Sequence, residues 1–181
     1  MRFKKDKDFI SCFNEKTGEY VRSGIIKNGI DIGIDPFMAS FPELLDIGIM
    51  GHCIHGKSGL CMASGVECYQ DGLHSDNKNM SVDNFRKIAQ QCKGKVFQVA
   101  LGGCGDPEQH EEFEEILRLS RENLIIPNLT TSGFALTDTE INLIHKHCGA
   151  VAVSFYSKLD SDGKESNQLT MTAIERFIEA G

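Results

Sequence analysis

The chain lacks any long apolar run. No stretch of about 18 consecutive apolar residues occurs, so no membrane-spanning helix is predicted. It also lacks an excess of positive charge. Nineteen Lys and Arg stand against 26 Asp and Glu, a formal net charge of −7, which argues against a broad nucleic-acid-binding face. Met1-Arg2-Phe3-Lys4-Lys5 is basic, but no apolar core of about 7–15 residues follows it, so it does not read as a secretory signal. The expectation is a cytoplasmic protein. Closely paired cysteines are missing too: none of the seven has another two to four residues away. Zinc sites more usually show such pairs. In a reducing compartment, seven thiols read as ligands, catalytic groups or packing rather than disulfides.

What is present is cysteine gathered in one place. Asp46 to Gly72 opens with a short apolar run, Ile47 to Met50, that reads as a buried strand. It then enters a loop holding Cys53, Cys61 and Cys68, with seven and six residues between them. Three thiols in one loop point to a metal or an iron–sulfur cluster, because soft thiolates select zinc, Cu(I) or Fe–S. A cluster held by protein alone uses four thiolates, so three leave one iron open. His52, His55 and His74 lie close by in sequence, and one of them could complete a zinc tetrahedron instead.

The 181 residues suffice for one domain with a sizeable core. Residues 1–41 form a lead. In it, Asp8 to Phe13 and Glu19 to Arg22, separated by Asn14 to Gly18, predict a β-hairpin. Cys12 in its first arm reads as packing. Ile25 to Phe37, with several glycines and Pro36, reads as loop or extended chain. Residues 42–181 form the main domain. Glu43 to Met50 predicts its first strand. Ser81 to Gln91 predicts a helix capped by Ser81, with Val82, Phe85, Ile88 and Ala89 on one face. Val96 to Leu101 predicts a second strand, followed by the loop Gly102-Gly103-Cys104-Gly105-Asp106-Pro107. Glu108 to Arg121 predicts an acidic helix with Phe113, Ile116 and Leu117 inward and its Glu108 to Glu115 face in solvent. Leu124 to Thr130 predicts a third strand. Thr137 to His147 predicts a helix opened by a capping box of Thr137 and Glu140. Ala150 to Tyr156 predicts a fourth strand, and Thr170 to Ala180 a last helix after a polar linker. Cys92 and Cys148, at helix ends, read as packing, and Cys104, inside the glycine loop, as a stray thiol or a site residue.

Strand and helix alternate four times, which predicts an α/β fold with a parallel sheet. Such sheets place ligands at the C-terminal ends of their strands. Here those ends carry the cysteine loop, the glycine loop, Thr130-Thr131-Ser132-Gly133, and Ser154 with Tyr156. A Rossmann phosphate turn is disfavoured for the glycine loop, which lacks the third glycine at its place and carries Asp106, which would repel a pyrophosphate. The sequence stops where a fifth strand is due, so the expectation is the front part of a longer protein.

These features together resemble the N-terminal part of a radical S-adenosylmethionine (SAM) enzyme, over roughly residues 42–181. The resemblance rests on a three-cysteine loop after the first strand, the Gly-Gly-x-Gly-Asp-Pro motif after the second (Asp for the family's Glu), and Thr-Thr-Ser-Gly after the third. The cysteine spacing is wider than the family's usual three and two, and Tyr69 follows Cys68 where the family's aromatic precedes the last cysteine. The resemblance implies a partial (β/α)6 TIM-like barrel, of which this chain covers roughly the first four β/α units. It implies a [4Fe–4S] cluster on Cys53, Cys61 and Cys68, with SAM on the fourth iron. Electron transfer from the cluster then cleaves SAM to a 5′-deoxyadenosyl radical that abstracts hydrogen from a substrate. It assigns Gly102, Gly103, Gly105 and Asp106 to the SAM ammonium, Thr130, Thr131 and Ser132 to the ribose, and Ser154 to the ribose or carboxylate. It calls for an external electron donor of flavodoxin or ferredoxin type. The long lead looks like that of enzymes that modify ribosomally made peptides, which makes a peptide the expected substrate. The other reading of the residues is a non-catalytic iron–sulfur or zinc-binding module, which would bind metal without depending on SAM.

Overall fold

The lead builds its own sheet. In this computed structural model, which describes residues 1–32, 38–58, 61, 68–155 and 168–181, strands β1 (Arg2–Lys5), β2 (Phe9–Phe13) and β3 (Tyr20–Gly24) pair antiparallel in that order. The expected hairpin is β2–β3. β1 is an addition, and its cations explain it. Arg2 donates to the carbonyls of Leu124 and, at 3.3 Å, Val96. Lys4 donates to those of Phe41 and Lys95 at 3.2 and 3.4 Å. Phe9 and Phe13 on β2 are fully buried, and Phe13 stacks on Phe97 with ring centroids 5.4 Å apart. The stretch read as loop contains a small hairpin, β4 (Ile26–Lys27) with β5 (Ile30–Asp31). Its turn, Asn28-Gly29, has positive φ at both residues, the type I′ geometry that matches strand twist.

The main sheet is parallel, in the order β6 (Leu44–Met50), β7 (Gln98–Gly103), β8 (Ile126–Thr131), β9 (Ala150–Val153). Register sorts the side chains. Ile47, Leu101, Leu129 and Val151 are partners across the four strands and belong to the hydrophobic core with the helices. The next row is Asp46, Ala100, Asn128 and Ala150, and successive residues point to opposite faces. The face away from the core therefore carries small or polar groups, Gly48 beside Gly102 and Thr130 beside Ala152 among them. This is the expected α/β architecture, consistent with part of a TIM-like barrel.

The helices follow their sequence signals. Helix α1 is one short turn, Ile54–Ser58. Helix α2 (Val82–Cys92) begins at Ser81, whose hydroxyl accepts from the Asn84 N–H, and buries Val82, Phe85 and Ala89. Helix α4 (Asp138–His147) opens with the Thr137–Glu140 capping box, and α5 spans Gln168–Ala180. The acidic helix differs from expectation. Pro107–Gln109 is a 3₁₀ turn and helix α3 starts only at Phe113, running to Glu122. His110 causes the break. Its ring is buried, with Nε2 on the Met80 carbonyl at 2.8 Å and Nδ1 accepting from the Glu112 N–H at 3.0 Å, while its backbone is extended. Glu108, expected in solvent, is 4% exposed. Phe113, Ile116 and Leu117 are buried as expected, and Ser120 is buried with them. The fourth strand ends at Val153, and Tyr156 lies outside the described residues.

Candidate functional site

The cysteine loop leaves β6 at Met50. Gly51 is tied to Asn79 Oδ1 at 2.9 Å, and Cys53 stands just before α1. Cys53 Sγ accepts from the Gly56 N–H at 3.2 Å and Cys68 Sγ from the Gly72 N–H at 3.4 Å. Both sulfurs rest against one glycine. A Cβ on Gly72 would lie 3.0 Å from Cys53 Cβ, 3.4 Å from Cys68 Sγ and 3.6 Å from Cys53 Sγ. Cys61 completes the group. Burial pushes its thiol up to about 11, and the charges of Cys53, Asp106 and Cys68 push the same way. Burial also raises Cys53, against the N–H groups of Gly56 and His55. Cys53 and Cys61 therefore favour their protons until a metal displaces them. Among the described residues, no three metal-ligating side chains are drawn close enough to hold an ion as they stand. The donor set is still that of an iron–sulfur or zinc site, and the missing side chain of Gly72 leaves the sulfurs room on one side.

The glycine loop is pressed against this group. Gly103 has a φ of +121°, and a Cβ there would meet the Met50 carbonyl oxygen at 2.4 Å. A Cβ on Gly105 would lie 2.6 Å from the His52 carbonyl oxygen and 3.2 Å from Cys53 Cα. Neither position has space for a side chain. Gly102 is the opposite case, because a Cβ there would meet nothing within 4 Å. That side of the loop is open space.

Asp106 joins three strand-end loops. Its Oδ1 accepts from the Ser132 N–H at 3.0 Å and its Oδ2 from the Ser132 hydroxyl, while His55 Nε2 stands 3.5 Å from Oδ2. His55 is 5% exposed, set edge-on to the Phe134 ring and against the Gln109 amide. Behind it, the Thr131 hydroxyl donates to Glu108 Oε1 and accepts from the Gly133 N–H at 2.9 Å. Burial, reinforced by the Asp106 charge, pushes Glu108 up to about 8, and its Oε2 has no partner among the described residues.

Of the hydroxyls expected to serve one ligand, Thr130 is exposed on the open face of β8 and Ser154 is half-buried, its N–H on the Thr131 carbonyl at 2.8 Å. Thr131 and Ser132 have hydroxyls already engaged inside the protein. Sequence reasoning placed Thr130 and Thr131 together, but neighbours on a strand face opposite ways. It did not single out Glu108 or give His55 its place on Asp106. His55 had a signal, its position two residues after Cys53. Glu108 had none, since an acidic run reads as surface. His74 pairs with Asp71 at 2.6 Å on the surface. Cavities among the described residues include one of about 430 Å³ between the lead and the base of the main sheet at Tyr20, Glu43 and Phe97, one of about 590 Å³ beside the start of α2 at His52, Asn79 and His110, and one of about 340 Å³ between α4 and α5 at Asp138 and Arg176.

No protein-family model matches the chain, and no curated protein matches it. Solved structures do. SuiB of Streptococcus suis bound to its precursor peptide SuiA is 19% identical over 79% of this chain and 32% of its own, with a TM-score of 0.59. anSMEcpe with bound AdoMet and the Cp18Cys peptide is 18% identical over 77% of this chain and 40% of its own, TM-score 0.54. BtrN in complex with AdoMet and 2-DOIA is 11% identical over 67% of this chain and 48% of its own, TM-score 0.50. The chain thus spans about a third of the length of SuiB, and it shares the fold of the matching part of these three structures.

Proposed function

We propose that this chain is the cluster-binding and SAM-binding part of a radical SAM enzyme that acts on a peptide. One observation carries the reading. The three-cysteine loop after β6 and the glycine loop after β7 touch, Gly105 against Cys53, in a fold shared with SuiB and anSMEcpe. Cys53, Cys61 and Cys68 would hold a [4Fe–4S] cluster, giving up their thiol protons as they do so. The carbonyls of Gly102, Gly103 and Gly105 would receive the SAM ammonium from the open side at Gly102. When bound, the cluster supplies the electron that splits SAM and begins hydrogen abstraction.

The protein's own share is placement. Asp106 contributes negative charge beside the ammonium, and its bonds to Ser132 hold the loop after β8 in register. Thr130 and Ser154 are the hydroxyls left for the ribose and carboxylate, while Thr131 and Ser132 keep that loop in shape. A peptide fits the comparison, since SuiB was solved with SuiA and anSMEcpe with Cp18Cys. It also fits the small residues Ala100, Ala150 and Ala152 on the open face of the sheet. The reading requires a flavodoxin- or ferredoxin-type electron donor and a reducing, cytoplasmic setting.

The test is anaerobic reconstitution of the chain with iron and sulfide, followed by reduction and addition of SAM. A reduced-cluster resonance signal that shifts with SAM is expected, with 5′-deoxyadenosine formed. Cys53→Ala should lose most of the bound iron. Stoichiometric zinc with no SAM-dependent change refutes the proposal in favour of a structural metal site. So does iron content unaffected by Cys53→Ala, as far as the ligand set goes.

A further inference from the structure

Cys104 does not sit where an incidental thiol would. Cys92 and Cys148 pack with the hydrophobic core, and Cys12 lies in the lead sheet. Cys104 is half-buried and belongs to neither apolar cluster of the described residues. Its position is fixed from three sides. Its N–H donates to the Met50 carbonyl at 2.9 Å, where the cysteine loop leaves β6. The next residue, Gly105, is packed on Cys53 Cα. Its thiol donates to the Gln70 carbonyl at 3.3 Å. Gln70 lies between Cys68 and Gly72, the glycine on which the Cys53 and Cys68 sulfurs rest. Cys104 is close enough for its charge to bear on Cys53. Cys104 is thus tied to both ends of the cysteine loop, to its exit from β6 and to the segment between Cys68 and Gly72.

Three thiolates leave the fourth iron of a [4Fe–4S] cluster without a protein ligand, and a thiolate is the donor that iron–sulfur chemistry favours. Resting on the reading of the site given above, we propose that Cys104 is a fourth, displaceable ligand. With SAM absent its thiolate binds the fourth iron, and SAM takes over that position on arrival. The exchange balances without oxidant or reductant. The iron–sulfur bond to Cys104 breaks and the SAM amino nitrogen binds in its place. The proton that the ammonium must lose passes to the departing thiolate, and no electron moves. Cys104 is then a thiol with the Gln70 carbonyl as its acceptor, the contact seen in the structure. The arrangement caps the reactive iron until the cosubstrate is present.

The test compares wild type, Cys104→Ala and Cys104→Ser, each reconstituted anaerobically, with iron and sulfide counted first. Cys104→Ser preserves size and the donor to Gln70, and serves if the alanine variant does not assemble. The SAM-free proteins are then oxidised with ferricyanide, and the resonance signal of the three-iron cluster is integrated. An uncapped iron is shed on oxidation, whereas a thiolate-capped iron is retained. Little three-iron signal is expected in wild type and a several-fold larger one in both variants. SAM should bind Cys104→Ala roughly tenfold more tightly in calorimetry, because no internal ligand competes for the iron. Equal three-iron signals and equal SAM affinity in all three proteins overturn the proposal and leave the cluster reading standing. A wild type that assembles no cluster overturns both.

Discussion

Glu108 offers the sharpest test of the packing around the site. Its carboxyl is buried behind β8, with one oxygen on the Thr131 hydroxyl and the other unpartnered among the described residues. Burial first, and the Asp106 charge second, push it up to about 8 from an ordinary 4.5. The sign follows from proton counting. Between pH 4.5 and about 8 the folded chain keeps a proton that the unfolded chain has lost, so stability falls as pH rises through that window. The stabilising share of this group is complete below pH 4.5 and gone above the folded value. The shift corresponds to roughly 4–5 kcal/mol in total, and to about 3 kcal/mol already lost at pH 7. Glu108→Gln keeps the shape and an acceptor for Thr131 but cannot ionise. The measurement is urea unfolding of both proteins at pH 5 and pH 8.5, which cancels in the difference the titrating groups that do not interact with Glu108. Glu108→Gln should gain roughly 4 kcal/mol on wild type between the two conditions. Parallel stability curves would show that the carboxylate reaches water, and the argument from burial would fail.

Other expectations follow from the same geometry. Gly72→Ala places a methyl group against the Cys53 and Cys68 sulfurs, so iron retained after reconstitution should drop several-fold with the circular dichroism spectrum unchanged. Asp106→Ala frees the Ser132 N–H and hydroxyl, and hydrogen exchange at residues 132–134 should speed up, while Asp106→Asn, which keeps an acceptor, should exchange nearly as wild type. Ser81→Ala removes the cap of α2 and should cost about 1 kcal/mol in denaturant titration. Ile116→Ala opens a cavity at a fully buried position of α3 and should cost about 2–5 kcal/mol.

Much of the frame was legible in the sequence because it rests on local signals. The cap at Ser81, the box at Thr137 and Glu140, and the apolar runs of the four parallel strands each announce themselves within a few residues. The cysteine and glycine loops could be placed at neighbouring strand ends from alternation alone. What escaped depends on contacts between distant segments. Strand β1 exists because Arg2 and Lys4 find carbonyls some ninety and more residues away. The break at His110 exists because Met80 offers its imidazole an acceptor. Thr131 turned away from the ligand side through strand geometry, and Glu108 went inward because Thr131 was waiting there. Asp106 was expected to face a ligand, and in the structure it also ties Ser132 and His55 together.

The reach of Arg2 to the Leu124 carbonyl, 122 residues along, bears on how the protein is made. A ribosome emits the lead first, and its hairpin has all its strands at once. The surface it must cover does not yet exist. Phe13 waits for Phe97 and Ile126, which at a synthesis rate of about 5–20 residues per second arrive on the order of ten seconds later. During that interval Phe13 lacks the apolar partners that bury it, and Arg2 and Lys4 lack the carbonyls of Val96, Leu124 and Lys95 that hold β1. That is the moment when a growing chain most needs a chaperone, and the place where slow codons between β6 and β8 would do harm.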